Sequence, residues 1–297
     1  MISLVTGAAG FIGSNLVDYL LEQGHTVVSV DNESANNEKF HWTHENGMAL
    51  NVKGDITDYK FMKNVFTGVD YVFHLAAESR LQSAIQNPIQ AVEKNCVGTT
   101  VMLQCAREAG VKRFIYSSTS SGYGNNPYPN VETQPDDCLN PYSASKVAGE
   151  KFCKMYRDLY GLETVVFRYF NVFGNRSPAR GQYAPVIGIF QRQKEAGEPL
   201  TIVGDGSQRR DFVHVKDVAR ANYLASISDL KGHEGEVFNV GTGSAYSVQQ
   251  IADAISDNQT YIPKRDGEME TTFADITRIG KVLGWTPEID LIDYLQT

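Results

Sequence analysis

Tyr142 and Lys146 stand four residues apart in the run Asn-Pro-Tyr-Ser-Ala-Ser-Lys. On a helix, positions i and i+4 share a face, so the ammonium of Lys146 can lie beside the phenol of Tyr142. A phenol with a pKa of about 10 is a poor base at neutral pH, and a neighbouring cation lowers that pKa. The pair therefore predicts a tyrosine base that takes a proton from a sugar or alcohol hydroxyl.

A glycine-rich turn precedes this pair in the chain. Gly7, Gly10 and Gly13 follow the apolar strand 2–6 and open an amphipathic helix. This is the setting of a dinucleotide site, because glycines allow close backbone approach and the helix amino terminus supplies N–H donors. Each motif alone can be a chance match. Together, and with Thr119 at the end of a later strand, they predict hydride transfer at a carbinol carbon.

Composition limits the other classes of function. The chain has 297 residues and a net charge of −8 without a basic block, so nucleic acid is not an expected partner. Met1 leads directly into the first strand, and no apolar stretch approaches ~18 residues, so we expect a soluble cytoplasmic protein without a signal peptide. Four cysteines without Cys-x-x-Cys spacing are expected to be free thiols in a reducing compartment: Cys96, Cys105, Cys138 and Cys153.

Strand and helix patterns alternate through the first 170 residues. The alternation predicts an α/β fold with a doubly wound parallel sheet covered by helices on both faces. We expect a nucleotide-binding domain over residues 1–170, completed by about 212–242, and a smaller substrate lid from 171–211 and 243–297. Within these ranges the pattern predicts a single helix over 88–109, a strand over 212–215, and two short helices around an irregular segment after Ser247.

Asp31 ends the second predicted strand, 18 residues after Gly13. A carboxylate at this point can bind the ribose hydroxyls of adenosine, although aspartate also ends strands simply as a turn former. Glu33 adds negative charge, and no Lys or Arg follows until Lys39. A 2′-phosphate would be repelled, so NAD is favoured over NADP.

The chain resembles the extended short-chain dehydrogenases/reductases. Within them it is most similar to the branch of nucleotide-sugar epimerases and dehydratases, which includes UDP-glucose and UDP-N-acetylglucosamine 4-epimerases. The resemblance covers nearly the full length. It rests on Thr6-Gly-Ala-Ala-Gly-Phe-Ile-Gly13, Gly54-Asp55-Ile56, His74-Leu-Ala-Ala-Glu78, Asn95-x-x-Gly98-Thr99, Tyr116-Ser-Ser-Thr119, Pro141-Tyr-x-x-x-Lys146, Arg168-Tyr-Phe-Asn-Val-Phe-Gly174 and Arg210-Asp-Phe-Val-His-Val215.

The resemblance implies a Rossmann sheet of about seven strands, with a carboxyl-terminal lid that binds the nucleoside diphosphate. It also implies the NAD-binding residues, in which Asp55 and Ile56 flank the adenine and Lys146 binds the nicotinamide ribose. The set is Gly7, Gly10, Phe11, Ile12, Gly13, Asp31, Asn32, Asp55, Ile56, Leu75, Ala76, Ala77, Asn95, Ser117, Tyr142, Lys146 and Tyr169.

The resemblance further implies the catalytic roles. Tyr142 would deprotonate the sugar 4-hydroxyl while C4 gives up its hydride, Thr119 would hydrogen-bond the same oxygen, and Lys146 would complete the set. Dehydratases and decarboxylases of the family carry acidic residues just after the threonine, where this chain has Ser120 and Ser121. Since a serine is neither the acid nor the base those reactions need, the 4-keto sugar can only take the hydride back, which predicts 4-epimerisation.

The sequence alone leaves other functions open. The loop Ala76-Ala-Glu-Ser79 resembles the dehydratases more than the galactose epimerases. A UDP-glucuronate 4-epimerase, a dehydratase or a reductase of the same family remains an alternative. A catalytically inactive NAD-binding regulator is the alternative from another class, and it is disfavoured because the Thr/Tyr/Lys set is complete.

Substrate residues follow from the same resemblance. Arg210 and Arg265 would grip the diphosphate, a task suited to a bidentate guanidinium, with Asn171 contacting the same group. The segment 183–187, which includes Val186, would pack near the uracil. Thr272 would face the C2 substituent of the sugar, where a small residue leaves room for an N-acetyl group. Glu78 and Thr119 complete the predicted substrate set, although a carboxylate such as Glu78 also suits a helix start.

Two expectations concern partners. The six histidines form no metal constellation, since His41 and His44 flank Trp42 without Cys or carboxylate at ligand spacing. We also expect a homodimer through two helices per subunit, centred near 92–108 and 143–158. The apolar residues Val101, Leu103, Val147 and Phe152 on these helices suggest it, although packing inside one subunit would explain them equally well.

Overall fold

The computed structural model describes residues 1–35, 39–43, 47–178, 185–263 and 271–296. Its strands are β1 Ile2–Thr6, β2 Thr26–Asp31, β3 Ala49–Lys53, β4 Tyr71–His74, β5 Arg113–Thr119, β6 Thr164–Tyr169, β7 Asn171–Phe173, β8 Leu200–Val203, β9 Arg209–Arg210, β10 Phe212–His214, β11 Val237–Val240, β12 Tyr246–Ser247, β13 Gln259–Ile262 and β14 Thr271–Thr272. Its α-helices are α1 Phe11–Glu22, α2 Tyr59–Val65, α3 Leu81–Gln86, α4 Pro88–Val92, α5 Thr99–Ala109, α6 Pro141–Tyr160, α7 Val186–Glu195, α8 Val215–Ile227, α9 Val248–Ile255, α10 Thr277–Leu283 and α11 Leu291–Gln296.

The main sheet has seven strands in the described residues, in the order β11-β6-β5-β4-β1-β2-β3. All of its pairings are parallel. One apolar core packs α1, α8 and α10 on one face, and another packs α2, α5 and α6 on the other. The predicted α/β fold with a doubly wound parallel sheet is confirmed.

The strand order reverses between β1 and β4, which are hydrogen-bonded neighbours although β2 and β3 lie between them in the chain. Connections leave these two strands in opposite directions, so a crevice opens at their carboxyl ends. Thr6 and His74 are paired in register at this edge. The topology therefore places the glycine turn after β1 and the loop after β4 side by side.

A second group of elements forms smaller sheets. β7 pairs with β10, β9 lies between β12 and β14, and β8 pairs with β13. A separate apolar core, which includes Phe190, Ile202, Phe212 and Ile251, lies among α7, α9, α11 and these strands. Helix α10, in contrast, packs its Ile279 into the core of the main sheet. The predicted lid range 243–297 thus contributes to both cores.

Helix α6 begins and ends where its sequence predicts. The side chain of Asn140 accepts a hydrogen bond from the Ser143 N–H, and Pro141 occupies the first turn, where no intrahelical N–H donor is needed. Gly161 ends the helix in a left-handed conformation. These signals fix the start of the helix at the residue before Tyr142.

The helix predicted over 88–109 and the strand predicted over 212–215 are present with differences in detail, whereas the prediction of two short helices after Ser247 was wrong. The helix predicted over 88–109 is interrupted by a π-helical segment, Glu93–Gly98, which turns the Asn95 side chain inward. The strand predicted over 212–215 is shorter and pairs with β7 instead of joining the main sheet. After Ser247 the structure has three helices and two short strands, because β13 pairs with β8 from far away in the chain.

The described helices include none that is both long and apolar enough to cross a membrane. All four cysteines are free thiols, of which Cys105 and Cys153 are buried.

His74 is fully buried at the carboxyl end of β4. Its ring nitrogens lie 2.8 Å from Thr6 Oγ1 and 3.0 Å from Thr99 Oγ1, and the ring stacks on Tyr116. Burial, with a smaller contribution from the charge of Lys146, lowers the pKa of His74 to about 3. The unfolded chain binds this proton near the usual pKa of 6.5, so it holds more protons than the folded chain between those values.

Stability should therefore fall as the pH drops below 6.5. Between about pH 7 and pH 5 this one residue should remove about 2 kcal/mol from the free energy of unfolding. Urea titrations of the wild type and of His74→Gln at both pH values measure the effect, because the amide can bond both threonines but does not titrate. An equal loss in the two proteins would contradict the assignment.

Candidate functional site

A cavity of about 420 Å³ opens at the carboxyl ends of the central strands, a size typical of cofactor sites. Its walls include Thr119 and fifteen of the residues predicted to bind NAD. These are Gly7, Gly10, Phe11, Ile12, Gly13, Asp31, Asn32, Ile56, Leu75, Ala76, Ala77, Ser117, Tyr142, Lys146 and Tyr169. The structure thus brings the glycine turn and the Tyr/Lys pair to one surface.

The glycine turn is shaped for close backbone approach. Gly7 has a left-handed φ of 69°, and a Cβ there would lie 2.9 Å from the Ala76 nitrogen. A Cβ on Gly13 would lie 2.1 Å from the Gly7 oxygen. No side chain caps the start of α1, so its first N–H groups face the cavity unbonded to a cap. This arrangement fits the pyrophosphate of a dinucleotide.

Two carboxylates lie at the end of β2. Asp31 accepts hydrogen bonds from the N–H groups of Ala9 and Glu33, at 3.1 and 2.7 Å, and burial raises the pKa of its carboxyl. Glu33, in a left-handed conformation, accepts a bond from Trp42 and pairs with Lys53. The negative charge predicted at the adenosine end of an NAD site is therefore present. The pairing of Lys53 with Glu33 was not predicted, because the two residues are 20 positions apart in the sequence.

Asp55 does not line the cavity but acts on it through two residues that do. Its Oδ2 accepts bonds from Asn32 Nδ2 and Lys94 Nζ, each at 2.8 Å, and its Oδ1 accepts two from Thr57. Burial raises the pKa of Asp55, but these donors outweigh burial and hold it well below its usual value. The carboxylate therefore stays ionised and fixes Asn32 and Lys94.

Thr119 and Tyr142 form the centre of the candidate catalytic site. Thr119 ends β5, and its Oγ1 accepts a bond from the Ser121 N–H at 3.1 Å. The Tyr142 phenol, in the first turn of α6, lines the same cavity as Thr119. Deeper in the cavity, the Ser117 hydroxyl and the Tyr169 phenol are 3.0 Å apart.

The prediction that Lys146 lowers the pKa of Tyr142 was wrong for the protein without cofactor. Burial raises the pKa of Tyr142 above its usual value, the Thr119 hydrogen bond opposes this, and the Glu78 charge adds to it. The Lys146 ammonium lies 4.3 Å from the centre of the Tyr116 ring. Burial lowers the pKa of Lys146 itself to about 8, although neighbouring Cys153, Glu150 and Cys96 favour its charged form.

Asn95 supports the site from behind. Its Oδ1 accepts a bond from the Glu78 N–H, and its Nδ2 donates to the Glu78 carbonyl and to Ser145 Oγ. It thereby ties the loop after β4 to helix α6. The Glu78 carboxylate accepts bonds from the Arg80 N–H and the Ser83 hydroxyl, at 3.0 and 2.9 Å, at the start of α3. Asn95 and Glu78 are absent from the described lining of the cavity.

The predicted substrate residues gather around Asp211. Asn171 Nδ2 donates to the Asp211 carbonyl at 2.9 Å, and Thr272 accepts from the Asp211 N–H at 3.0 Å. Arg210 pairs with Thr272 in the β9–β14 ladder. The Asp211 carboxylate accepts bonds from residues 242, 243 and 274. Asn171, Arg210 and Thr272 thus lie together around Asp211. None of the three is part of the described lining of the cavity.

The remaining substrate predictions have separate outcomes. Val186 begins α7 and packs on the smaller core, while its neighbour Pro185 lines the cavity. Arg265 and the beginning of the predicted uracil segment 183–187 lie outside the described residues. No prediction for them is tested by the structure.

Sequence reasoning missed part of the cavity wall. Phe170 and Ser118 flank predicted residues at strand ends, so their positions were available from the strand pattern. Lys94 was not, since its pairing with Asp55 spans two elements. The full set of missed residues is Val30, Ser34, Ala35, Gly54, Ser79, Arg80, Lys94, Ser118, Phe170, Val172 and Pro178.

Comparison with known proteins identifies the family. The model of the NAD dependent epimerase/dehydratase family matches residues 3–241. The chain belongs to this family. It is 38% identical to a UDP-glucose 4-epimerase of Mycolicibacterium smegmatis, over 99% of this chain and 96% of that protein. It is 34% identical to a UDP-glucuronate 4-epimerase of Thermodesulfobacterium geofontis, over 99% and 93%.

Two solved structures show the same architecture. A UDP-glucose 4-epimerase of Thermotoga maritima, solved with UDP-glucose, superposes with a TM-score of 0.92 at 36% identity, covering 100% of this chain and 96% of that one. A UDP-N-acetylglucosamine 4-epimerase of Methanobrevibacter ruminantium, solved with UDP-N-acetylmuramic acid, gives 0.92 at 32% identity, covering 99% and 95%. The predicted family and its NAD dependence are confirmed.

Proposed function

We propose that this protein is an NAD-dependent UDP-sugar 4-epimerase that acts on UDP-glucose and on UDP-N-acetylglucosamine. Thr119, Tyr142 and Lys146 line the cavity of the glycine turn together, which supports the hydride-transfer half of the proposal. Relatives of similar identity act on different UDP-sugars, so the substrate must be argued from this chain's own residues.

The positions of the carboxylates around the cavity favour epimerisation over dehydration and decarboxylation. Within the described lining, Asp31 is the one carboxylate, and it lies at the adenosine end. Ser120 and Ser121 follow Thr119, and Glu78 is engaged at the start of α3. Elimination of water or loss of carbon dioxide would need an acid or base beside the sugar. The described site provides Tyr142 alone for proton transfer at the sugar 4-hydroxyl.

The proposed steps follow from these residues. Oxidised NAD, when bound against the glycine turn, would accept the hydride from C4 and give it back. Tyr142 takes the 4-hydroxyl proton, and Thr119 holds the shared oxygen. Rotation of the 4-keto sugar presents its other face, and return of the hydride with the Tyr142 proton inverts C4. Lys146, with its ammonium 4.3 Å from the centre of the Tyr116 ring, would hold a positive charge in the wall of the same cavity.

The smaller sheets serve, in this proposal, as the substrate lid formed by 171–211 and 243–297. Asn171 and Arg210 lie on neighbouring short strands around Asp211, where they would bind the diphosphate together with Arg265. Thr272 beside Arg210 would then lie near the sugar.

The proposal predicts C4-inverted products from UDP-glucose and UDP-N-acetylglucosamine, observed by NMR. Tyr142→Phe should fold and retain NAD but lose about 10²–10⁴-fold in turnover, because the phenol is the base. Thr119→Ala should lose less, about 10²-fold, since it removes a supporting hydrogen bond. Near-native turnover of Tyr142→Phe would exclude the mechanism, and conversion of UDP-glucuronate alone would replace the proposed substrates.

Thr272→Tyr should exclude the N-acetyl substrate while sparing UDP-glucose, since a phenol ring fills the space that an acetamido group needs. Thr271→Tyr is the matched control, because adjacent strand residues point to opposite faces. The ratio of kcat/KM for the two substrates should change in Thr272→Tyr alone. The same ratio in both variants and the wild type would remove Thr272 as a specificity residue.

We also propose a homodimer through the helices centred near 92–108 and 143–158. An apolar groove lies between α5 and α6, and Val97 at its rim is 50% exposed in the single chain. Further exposed apolar side chains lie on α4 and α6, as expected of an interface. They are Ile89, Val92, Met155, Leu159 and Tyr160.

Light scattering should give twice the chain mass of 32.9 kDa. Val97→Glu should give the monomer, because it buries an unpaired charge in the interface. Leu50→Glu is the control, since Leu50 is 59% exposed on the distant edge strand β3. A monomeric wild type at micromolar concentration, or a dimeric Val97→Glu, would contradict the proposed interface.

A further inference from the structure

A buried charge cluster lies directly behind the catalytic pair. Arg168 on β6 and Glu150 on α6 are 2% and 3% exposed. Arg168 Nε donates to Glu150 Oε1 at 2.9 Å, and its Nη2 donates to Glu150 Oε2 at 2.7 Å and to Asp136 Oδ1 at 2.6 Å. Ser118 Oγ donates to Glu150 Oε1 at 2.5 Å. We refer to these four residues as the Arg168 cluster.

The cluster joins the parts of the chain that carry the catalytic residues. Ser118 immediately precedes Thr119 on β5, and Arg168 is its register partner on β6. Glu150 lies two turns after Tyr142 on α6. Asp136 belongs to the segment 120–141, which connects Thr119 to Tyr142. One guanidinium therefore holds the strand end, the helix and the connection between them.

The approach of Thr119 to Tyr142 depends on this spacing. Thr119 and Tyr142 lie on different elements, and the segment between them contains the short 3₁₀ turn Ser120–Tyr123 but no long helix or strand. Small displacements of a catalytic group cost large factors in rate. The Ser118–Glu150 bond fixes the strand end against α6 one residue away from the catalytic threonine.

Stability is a weak explanation for such a cluster. A buried ion pair loses its hydration, and well-packed apolar residues are often equally stable or more stable in its place. Arg168 Nη1 has no hydrogen-bond partner among the described residues, and the guanidinium carbon lies 4.6 Å from the centre of the Tyr123 ring. A role in fixing geometry accounts for the retained charges better than a role in folding energy.

We propose that Arg168 and Glu150 are positioning residues that set the distance between Thr119 and Tyr142. They touch neither cofactor nor sugar in this proposal and act through Ser118 and helix α6. The effect on rate rests on the proposed epimerase function, whereas the effect on geometry does not.

The decisive variant replaces both charges with apolar residues, Arg168→Met with Glu150→Leu. Single replacements leave a buried unpaired charge and are expected to destabilise the fold, whereas the double variant should recover stability. Asp136 keeps its partner Lys151, at 2.7 Å. The double variant should bind NAD and keep the wild-type KM, while its kcat falls roughly 10²-fold.

A second arginine–carboxylate pair offers the control. Arg113 at the start of β5 donates to Glu163, which directly precedes β6, at 2.8 and 3.0 Å. This pair joins the same two strands at the end far from Thr119. Arg113→Met with Glu163→Gln should change stability without changing kcat.

Crystal structures separate the positioning proposal from the proposed function. The distance from Thr119 Oγ1 to the Tyr142 phenol oxygen should change in the Arg168/Glu150 double variant and stay at its wild-type value in the Arg113/Glu163 control. If that distance is unchanged in the double variant, or if the double variant keeps wild-type kcat, the positioning role is wrong. A wild type without 4-epimerase activity would overturn the proposed function alone, because the geometry can still be measured.

Ser118→Ala provides the test if the double variant does not fold. It removes the one hydroxyl that joins β5 to Glu150 and leaves the Arg168–Glu150 pair intact. We expect kcat to fall roughly tenfold at an unchanged KM. Wild-type kcat in Ser118→Ala would overturn the proposal.

Discussion

The convergence of Thr119 and Tyr142 on one cavity is the constraint on which the rest of the site depends. It brings the end of a central strand to the first turn of a helix, where Thr119 opposes the effect of burial on the pKa of the phenol. The parallel sheet supplies the strand end, and the cap at Asn140 with Pro141 fixes the helix start. The fold thus determines where a sugar hydroxyl can meet a base.

Burial governs the electrostatics around these residues. It raises the pKa of Tyr142 and lowers that of Lys146 to about 8. His74, deeper in the same region, stays neutral at physiological pH. A charge that arrives with the cofactor would act strongly here, because little water screens it.

Local patterns predicted much of this from sequence. The glycine turn, the strand ends and the Tyr142–Lys146 spacing depend on neighbouring residues, and these predictions led to the observed cavity. What escaped prediction depends on distant pairs, such as Lys53 with Glu33. The direction of Lys146 was also missed, since a shared helix face does not determine where a long side chain ends. Asn95 was predicted as a site residue, but the π-helical segment that contains it was not.

The measurement that tests the central claim most directly follows the hydrogen at C4. UDP-glucose deuterated at C4 should give an epimer that keeps the deuterium at C4, in ordinary water and without net reduction of NAD, because the hydride leaves and returns within one closed site. Mass spectrometry and NMR of the product report this. Loss of the label to solvent, or a product formed with accumulating reduced cofactor, would contradict the account.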